Sequence, residues 1–573
     1  MNIRLRISTV FLLFFFCTNA YTNEVLNTNS ELNHLNLKRE FKITKHYLNL
    51  PIKNGGTKLK LLAYVDGVKL SENSIELNSG NPDWWAPMDV SAYLGKTITL
   101  EVDNISDQFD AFRYIEESDT IKNSDKLYHE PLRPQLHFSP KRGWTNDPNG
   151  LVFYKGLYHL FFQHNPFGVK WGNMHWGHAT SKDLVHWHEE GDVLSPDDLG
   201  SMYSGSAVVD WNNTSGFGTF SNPPLVLIYT AANNTPTQCL AYSNDGHNFT
   251  KYTGNPVLKT ITNQNRDPKV MWNEASKQWI MVLYAGFPIQ LNQSKTDNNY
   301  VYQYAVKFLT SKNLRDWKSA STSLGGSGNN HFLYECPDLF ELPLDDNHNE
   351  THWVITAANS SYAIGLFDGS RFNQQSEQLT GNEGKGFYAA QTFSDIPDGR
   401  RIQIGWEQAQ SPGMPFNQLL TLPCELSLKH TSKGLRLTRK PIDDLISLRE
   451  GLNQNSNLDT FKAELMEIRL DIDATQLGKI EFTARGAKIE YDCSKQELIV
   501  NDLHAEAPKI NGRQNIIIYV DKTMLEVFAS DGLIYMPIPY IPSKDNLSIK
   551  LTDENHILKL SDIKVYRLKS IWE

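Results

Sequence analysis

The heptapeptide SKDLVHW at 181–187 returns as SNDGHNF at 243–249 and SKNLRDW at 311–317, with a looser FDGSRF at 367–372. A chain that repeats one turn signal at intervals of about 55–68 residues is building one structural unit several times, and that interval suits a four-stranded sheet with its loops. Such units read as the blades of a β-propeller. Residues 130–430 have room for five, and a propeller places its site where the innermost strands converge on the axis.

The flanks read as β structure too. From about 35 to 128 short runs alternate apolar and polar positions, as in Ile98, Leu100 and Val102, with turns at KNGG and VDG, which predicts a small antiparallel sandwich. Its Trp84 and Trp85 could offer a sugar platform, but paired Trp in a small β unit belong more often to the core. Residues 440–573 return to strand and turn, with a hairpin expected around Asp521 and Lys522, and read as a second sandwich. The expected fold is all-β: a five-bladed propeller followed by a C-terminal sandwich and preceded by a smaller one.

With 573 residues the chain is too long for one core, and 13 Trp within 11% aromatic content suits a protein that handles sugar faces. The formal net charge of -10 argues against nucleic acid or anionic membrane surfaces as partners. The opening MNIRLRISTVFLLFFFCTNA sets Arg4 and Arg6 before a short apolar run and ends Thr18, Asn19, Ala20, the pattern of a cleaved export signal over 1–20. Cys17 raises a lipid anchor as the rival, although Phe16 stands where a lipobox takes a small residue. No later stretch is long and apolar enough to span a membrane. The expected location is periplasmic or extracellular, as a monomer. Cys239, Cys336, Cys424 and Cys493 are far apart and lack any Cys-x-x-Cys pair, so they read as buried thiols.

Three acids share one local setting. Asp147 in GWTNDPNGLVFY and Asp267 in NRDPKV each precede a proline and a strand, and Glu335 in YECPDLF has the same proline-then-strand sequel. Proline restricts the residue before it to extended angles, so each carboxylate is expected to be held extended at the mouth of a different blade, with Arg266 beside one of them.

WTNDPNG, RDP and ECP, in this order, resemble the signature blocks of glycoside hydrolase family 32, the invertase, inulinase and levanase family. HLFFQHNPFGVKWGNMHWGHATSKDLVHW and YSGSAVVDWNNTSG look closest to its bacterial levanases and exo-inulinases. The resemblance covers about 131–573, and the family's propeller and following sandwich agree with the repeat. It implies Asp147 as nucleophile, Glu335 as the acid that protonates the departing oxygen and then activates water, and Asp267 as acceptor of hydrogen bonds from fructose hydroxyls. A retaining pair of this kind stands about 5–5.5 Å apart, with Arg266 offsetting the repulsion among the three acids. The same likeness assigns Trp144, Asn146, Gln163, Trp171, Tyr203, Ser204 and Trp406 to the sugar site. Thr145, Tyr203, Phe416 and Cys424 depart from the family's common residues, which bears on the acceptor side. The N-terminal module resembles one attached to some fructan-degrading enzymes, and the likeness implies no role for it.

The resemblance implies a fructan or fructo-oligosaccharide substrate and no cofactor. His175 and His178, with His186 and His188 nearby, invite a metal reading, yet residues three apart on a strand face opposite sides and no third ligand converges. A fructan-binding protein without catalysis is the rival of another class, and the presence of all three acids argues for the enzyme. Sucrose hydrolysis and fructosyl transfer use the same acids.

Overall fold

The computed structural model describes residues 35–105, 110–290, 300–451, 458–553, 557–559 and 562–573; the export-signal reading and Cys17 lie outside them. The described chain is strand and turn, with short 3-10 helices between, and no helix in it is long and apolar enough to cross a membrane.

The recurrent motif is the turn between the third and fourth strands of a blade. In each copy one side chain organises it: Asp183 accepts from the N–H groups of Val185 and His186, Asp245 from those of His247 and Asn248, Asn313 from those of Arg315 and Asp316, and Asp368 from those of Ser370 and Arg371. An Asp or Asn in this place makes the turn from local hydrogen bonds, so it recurs in four of the five units; the fifth turns to its outer strand at Thr431, whose hydroxyl donates to Gly434 O.

Five four-stranded antiparallel units result, with inner strands Gly143–Tyr154, Ser201–Val209, Arg266–Asn273, Asp338–Leu344 and Phe387–Thr392. The fourth and fifth are joined by a single parallel pair, Leu344 with Leu428, and the fifth unit's outer strand Gly434–Pro441 carries the propeller sheets past 430. The circle closes without a covalent link. Phe416 and Asn417 pair with Gly143 and Trp144, and Ser394 exchanges backbone hydrogen bonds with Leu151 and Phe153.

Around the axis the inner strands are tied by buried polar groups. Asn149 accepts from Gly205 N–H at 3.3 Å; Ser206 Oγ donates to Pro268 O and accepts from Val270 N–H; Lys269 Nζ lies 3.2 Å from Asp338 and donates to Thr392 O at 2.7 Å; Thr392 N–H donates to Asp338; and Gln391 accepts from Leu151 N–H. Burial pushes the Lys269 ammonium down, against the pull of Asp338.

Two sandwiches flank the propeller. The first packs a four-stranded sheet on a three-stranded one; Trp84 is in its core, while Lys122 sits 3.9 Å over the half-buried Trp85 ring. The last packs six strands on five and contains the expected hairpin, Arg513–Val520 with Met524–Ala529. It is fastened to the propeller by Asp521, which accepts from the N–H groups of Gln135 and Leu136 and bonds His137, whose other nitrogen meets Glu526. These two carboxylates hold the His137 imidazole up at about 9 despite its burial.

Replacing Lys269 by Met removes the ammonium 3.2 Å from the buried Asp338 and leaves it only the more distant Arg401. The expected loss is about 3–5 kcal/mol of stability, read from urea or thermal midpoints; an unchanged midpoint would show that the pair does not hold the axis.

Candidate active site

Irregularities at the start of the inner strands aim the site. The pairing of Gly143–Tyr154 slips between Thr145 and Pro148, that of Ser201–Val209 between Tyr203 and Gly205, that of Arg266–Asn273 between Arg266 and Lys269, and that of Phe387–Thr392 between Tyr388 and Gln391. Asp147, Ser204, Asp267 and Tyr388 stand at these slips. A bulge puts extra residues on one strand against fewer on its neighbour, and so turns a side chain that would lie in the pleat toward the axis.

The expected extended backbone does not hold for all three acids. Asp267 has φ 63°, Glu335 57° and Cys336 41°, whereas Asp147 stays in its strand without a positive φ. The reason is tertiary: the surrounding contacts fix a left-handed backbone that costs about 1–3 kcal/mol per residue. Asp267 N–H donates to Thr230 Oγ1 at 3.0 Å, and Cys336 N–H donates to Asp267 Oδ2 at 3.0 Å.

The three carboxylates face one cavity of about 560 Å³. Asp147 accepts from Ser204 Oγ at 2.6 Å and from Asn146 Nδ2 at 3.0 Å. Glu335 accepts from Arg266 Nη2 at 2.6 Å and Nε at 3.1 Å on one oxygen, and from Tyr388 OH at 2.8 Å on the other. The Cys336 thiol lies 3.3 Å from Asp147 and 3.5 Å from Asp267, bridging the two. Arg266 is placed by Gln264 and by the ring of Tyr284, 4.7 Å from its guanidinium carbon.

Burial dominates the electrostatics. It pushes the Asp147 carboxyl up, opposed by the Ser204 and Asn146 donors and reinforced by the charge of Glu335. It raises Asp267 to about 7, against Arg266 and with the repulsion of Glu335 and Asp147. It also pushes the Cys336 thiol well up, so the thiol keeps its proton and donates to the acids beside it.

Asn146, Gln163, Trp171, Tyr203, Ser204, Arg266 and Trp406 line the same cavity. Trp144 does not: its indole N–H donates to Asn146 at 3.1 Å and its ring meets Trp406 edge-on, which places it behind the wall. Gln163 donates to Met202 O, and Trp171 stands at the rim, 54% exposed and edge-on to Tyr203.

Cys336 is the correction to the reading of four buried thiols; Cys239, Cys424 and Cys493 are buried, but Cys336 lines the pocket. Phe416 and Cys424 lie outside the lining, Phe416 under the Arg133 guanidinium, so of the departures from the family pattern Tyr203 is the one that reaches the cavity. Tyr388 went unread because the fifth unit lacks the recurrent turn that marks the others, although its position on the last inner strand is a signal that blade counting could have used. Among the histidines, His178 bonds His159 and stacks on Phe161, His175 bonds Asn173 O, and His186 bonds Asp183.

Residues 137–441 match the N-terminal domain of glycosyl hydrolases family 32. A levanase of Bacillus subtilis (strain 168) is 36% identical over 501 residues, covering 78% of this chain and 72% of its own. An extracellular exo-inulinase of Aspergillus awamori is 30% identical over 78% of this chain and 96% of its own. The crystal structure of an exo-inulinase from the same organism superposes with a TM-score of 0.68, covering 78% of this chain and all of that one at 29% identity.

The raised Asp267 carboxyl has a cost that can be measured. Its folded pKa of about 7 exceeds the ordinary 3.8, so its contribution to stability is full below about pH 4 and is lost as pH rises through 7. Asp267→Asn is expected to be more stable than the parent at pH 8, by on the order of 1–3 kcal/mol, and to lose the advantage at pH 4. Melting curves at the two pH values check it; an advantage that does not change with pH would contradict the assignment.

Proposed function

The chain belongs to glycosyl hydrolases family 32 as a β-fructofuranosidase-type glycosidase, and from that premise we propose that it releases terminal fructose from fructans with retention of configuration. Levan, β-2,6 linked, is the first choice of substrate and β-2,1-linked inulin the second. The observation that carries this reading is that two carboxylates of one cavity have separate sets of donors: Ser204 and Asn146 on Asp147, and Arg266 and Tyr388 on Glu335.

In the first step Asp147 attacks the anomeric carbon while Glu335 gives its proton to the departing glycosidic oxygen, forming a fructosyl ester and a shortened chain. Arg266 and Tyr388 donate to the Glu335 carboxylate that remains. In the second step Glu335 takes a proton from water, the water attacks the same carbon, and Asp147 leaves as a carboxylate. Asp267 accepts hydrogen bonds from fructose hydroxyls that tighten as the ring gains positive charge, and Arg266 keeps its cation between Glu335 and Asp267. The opening segment reads as an export signal and the similar exo-inulinase is an extracellular protein, which together support action outside the cytoplasm.

Asp147→Asn is expected to fold and to lose nearly all turnover, because an amide cannot form the ester. Glu335→Gln is expected to lose about 10²–10⁴-fold on fructans yet still to form the covalent intermediate from a fructoside with a good leaving group. Steady-state and burst kinetics on both substrate types check the pair. A tenth of the parent rate retained by the Asp147 variant, or equal losses on both substrates for the Glu335 variant, would overturn the roles.

Trp171, Tyr203 and Trp406 wall one pocket of a size for a terminal sugar. Chromatography of an early levan digest is expected to show free fructose with little shortening of the polymer; a ladder of oligosaccharides would point to internal cleavage, and fructosylated acceptors to transfer.

A further inference from the structure

The first blade's strands Leu157–Asn165 and His175–Ser181 are joined by a loop that belongs to two bodies at once. Phe167, on this loop, is 6% exposed and forms part of the apolar core of the N-terminal sandwich, with Val169 packed against the same core. At the loop's other end Asn173 meets the edge strand Val68–Ile75 of that sandwich. Ser74 N–H donates to Asn173 Oδ1 at 2.7 Å, and Asn173 Nδ2 donates to Ser74 O at 2.7 Å. The side-chain amide thus pairs with the open edge in both directions, as the backbone of a neighbouring strand would.

Between these anchors the loop is closed from inside. Asn165 donates to Lys170 O at 2.7 Å and accepts from Phe167 N–H and from Asn173 Nδ2. Trp171 stands on the segment so held. It lines the catalytic cavity, and it also lines the crevice where the loop faces Asn54, Gly55 and Lys58 of the sandwich. That turn of the sandwich is itself fixed: Asn54 N–H donates to Asp83 and Gly55 N–H to Glu76, and Asn54 accepts from Trp84 Nε1.

We propose that the N-terminal sandwich is a positioning element of the catalytic pocket: through Phe167 and the Ser74–Asn173 pair it holds the 166–173 loop, and with it Trp171, at the rim that receives the part of the substrate beyond the scissile fructose. This rests on the reading of the cavity as a fructan site. An unanchored loop carrying an exposed Trp must be ordered each time a chain binds, and that cost falls on binding rather than on bond cleavage. A small fructoside carries only its leaving group past the reacting centre, whereas an oligosaccharide runs on across the rim, so the effect falls on the oligosaccharide's KM and leaves the kcat of either substrate near the parent's.

The test uses the full chain with Phe167→Ala, Asn173→Ala and, from the sandwich side, Ser74→Pro, which removes one donor from an edge strand where proline is tolerated. Hydrogen exchange of the 166–173 segment is measured beside KM and kcat on levan oligosaccharides and on an aryl fructofuranoside. Faster exchange confined to the loop is expected, with KM on the oligosaccharides up about three- to tenfold and kcat on the aryl fructoside within about twofold of the parent. Loop exchange at the parent's rate in variants that melt where the parent does, or kcat falling alike on both substrates, overturns the proposal. Were the parent to cleave no fructoside at all, the functional reading would fall, and the exchange measurement would still decide whether the sandwich holds the loop.

Discussion

Five inner strands meet around one axis with little backbone pairing between them, and the side chains of Asn149, Ser206, Lys269, Asp338 and Gln391, with Thr392, tie them into a circle. Buried polar groups of this kind must be satisfied, so each link fixes the height at which a strand enters the centre. The polar groups that line the cavity lie two or three residues upstream of these ties: Asp147 before Asn149, Ser204 before Ser206, Asp267 before Lys269, Glu335 before Asp338 and Tyr388 before Gln391. Each blade supplies one of them. The ring below therefore sets the constellation above, and the bulges at the strand starts turn the side chains the remaining distance.

That constellation is held against its own chemistry. Three acids share one buried cavity, burial raises Asp147 and Asp267, and Asp267 and Glu335 take positive φ as well. Arg266, in contact with Glu335 and near Asp267, supplies the compensating charge, and Ser204, Asn146, Tyr388 and the Cys336 thiol and N–H supply donors. A site arranged this way is costly to fold and preorganised for charge that develops during reaction.

The two sandwiches act on the propeller by different means. The C-terminal one is bound through the buried Asp521, His137 and Glu526 chain and through an apolar core in which Tyr519, Phe528 and Tyr535 pack with Phe138 and Phe387 of the propeller. The N-terminal one is bound near the cavity rim, by an aromatic ring in its core and an amide on its edge.

The repeated turn signal, the three sandwich–propeller–sandwich segments and the acids Asp147, Asp267 and Glu335 are legible in the sequence because each is a local pattern: an Asp or Asn organising the N–H groups just after it, alternation along a strand, an acid one or two residues ahead of a proline that opens a strand. The likeness of those blocks to a known family pointed to Asn146, Gln163, Trp171, Tyr203, Ser204 and Trp406 as well, which line the same cavity as the acids. What the chain order does not disclose is which distant residues meet. Tyr388 reaches Glu335 from another blade, the Cys336 thiol bridges acids of two others, and Phe167 leaves the propeller for the core of the sandwich. Even the backbone of Asp267 and Glu335 was decided this way, since proline alone predicts an extended residue and contacts with Thr230 and Cys336 hold Asp267 in the left-handed region. Local patterning determined the elements and singled out the three acids; long-range contacts, each requiring two segments brought together by the closed propeller, decided their geometry and their charge.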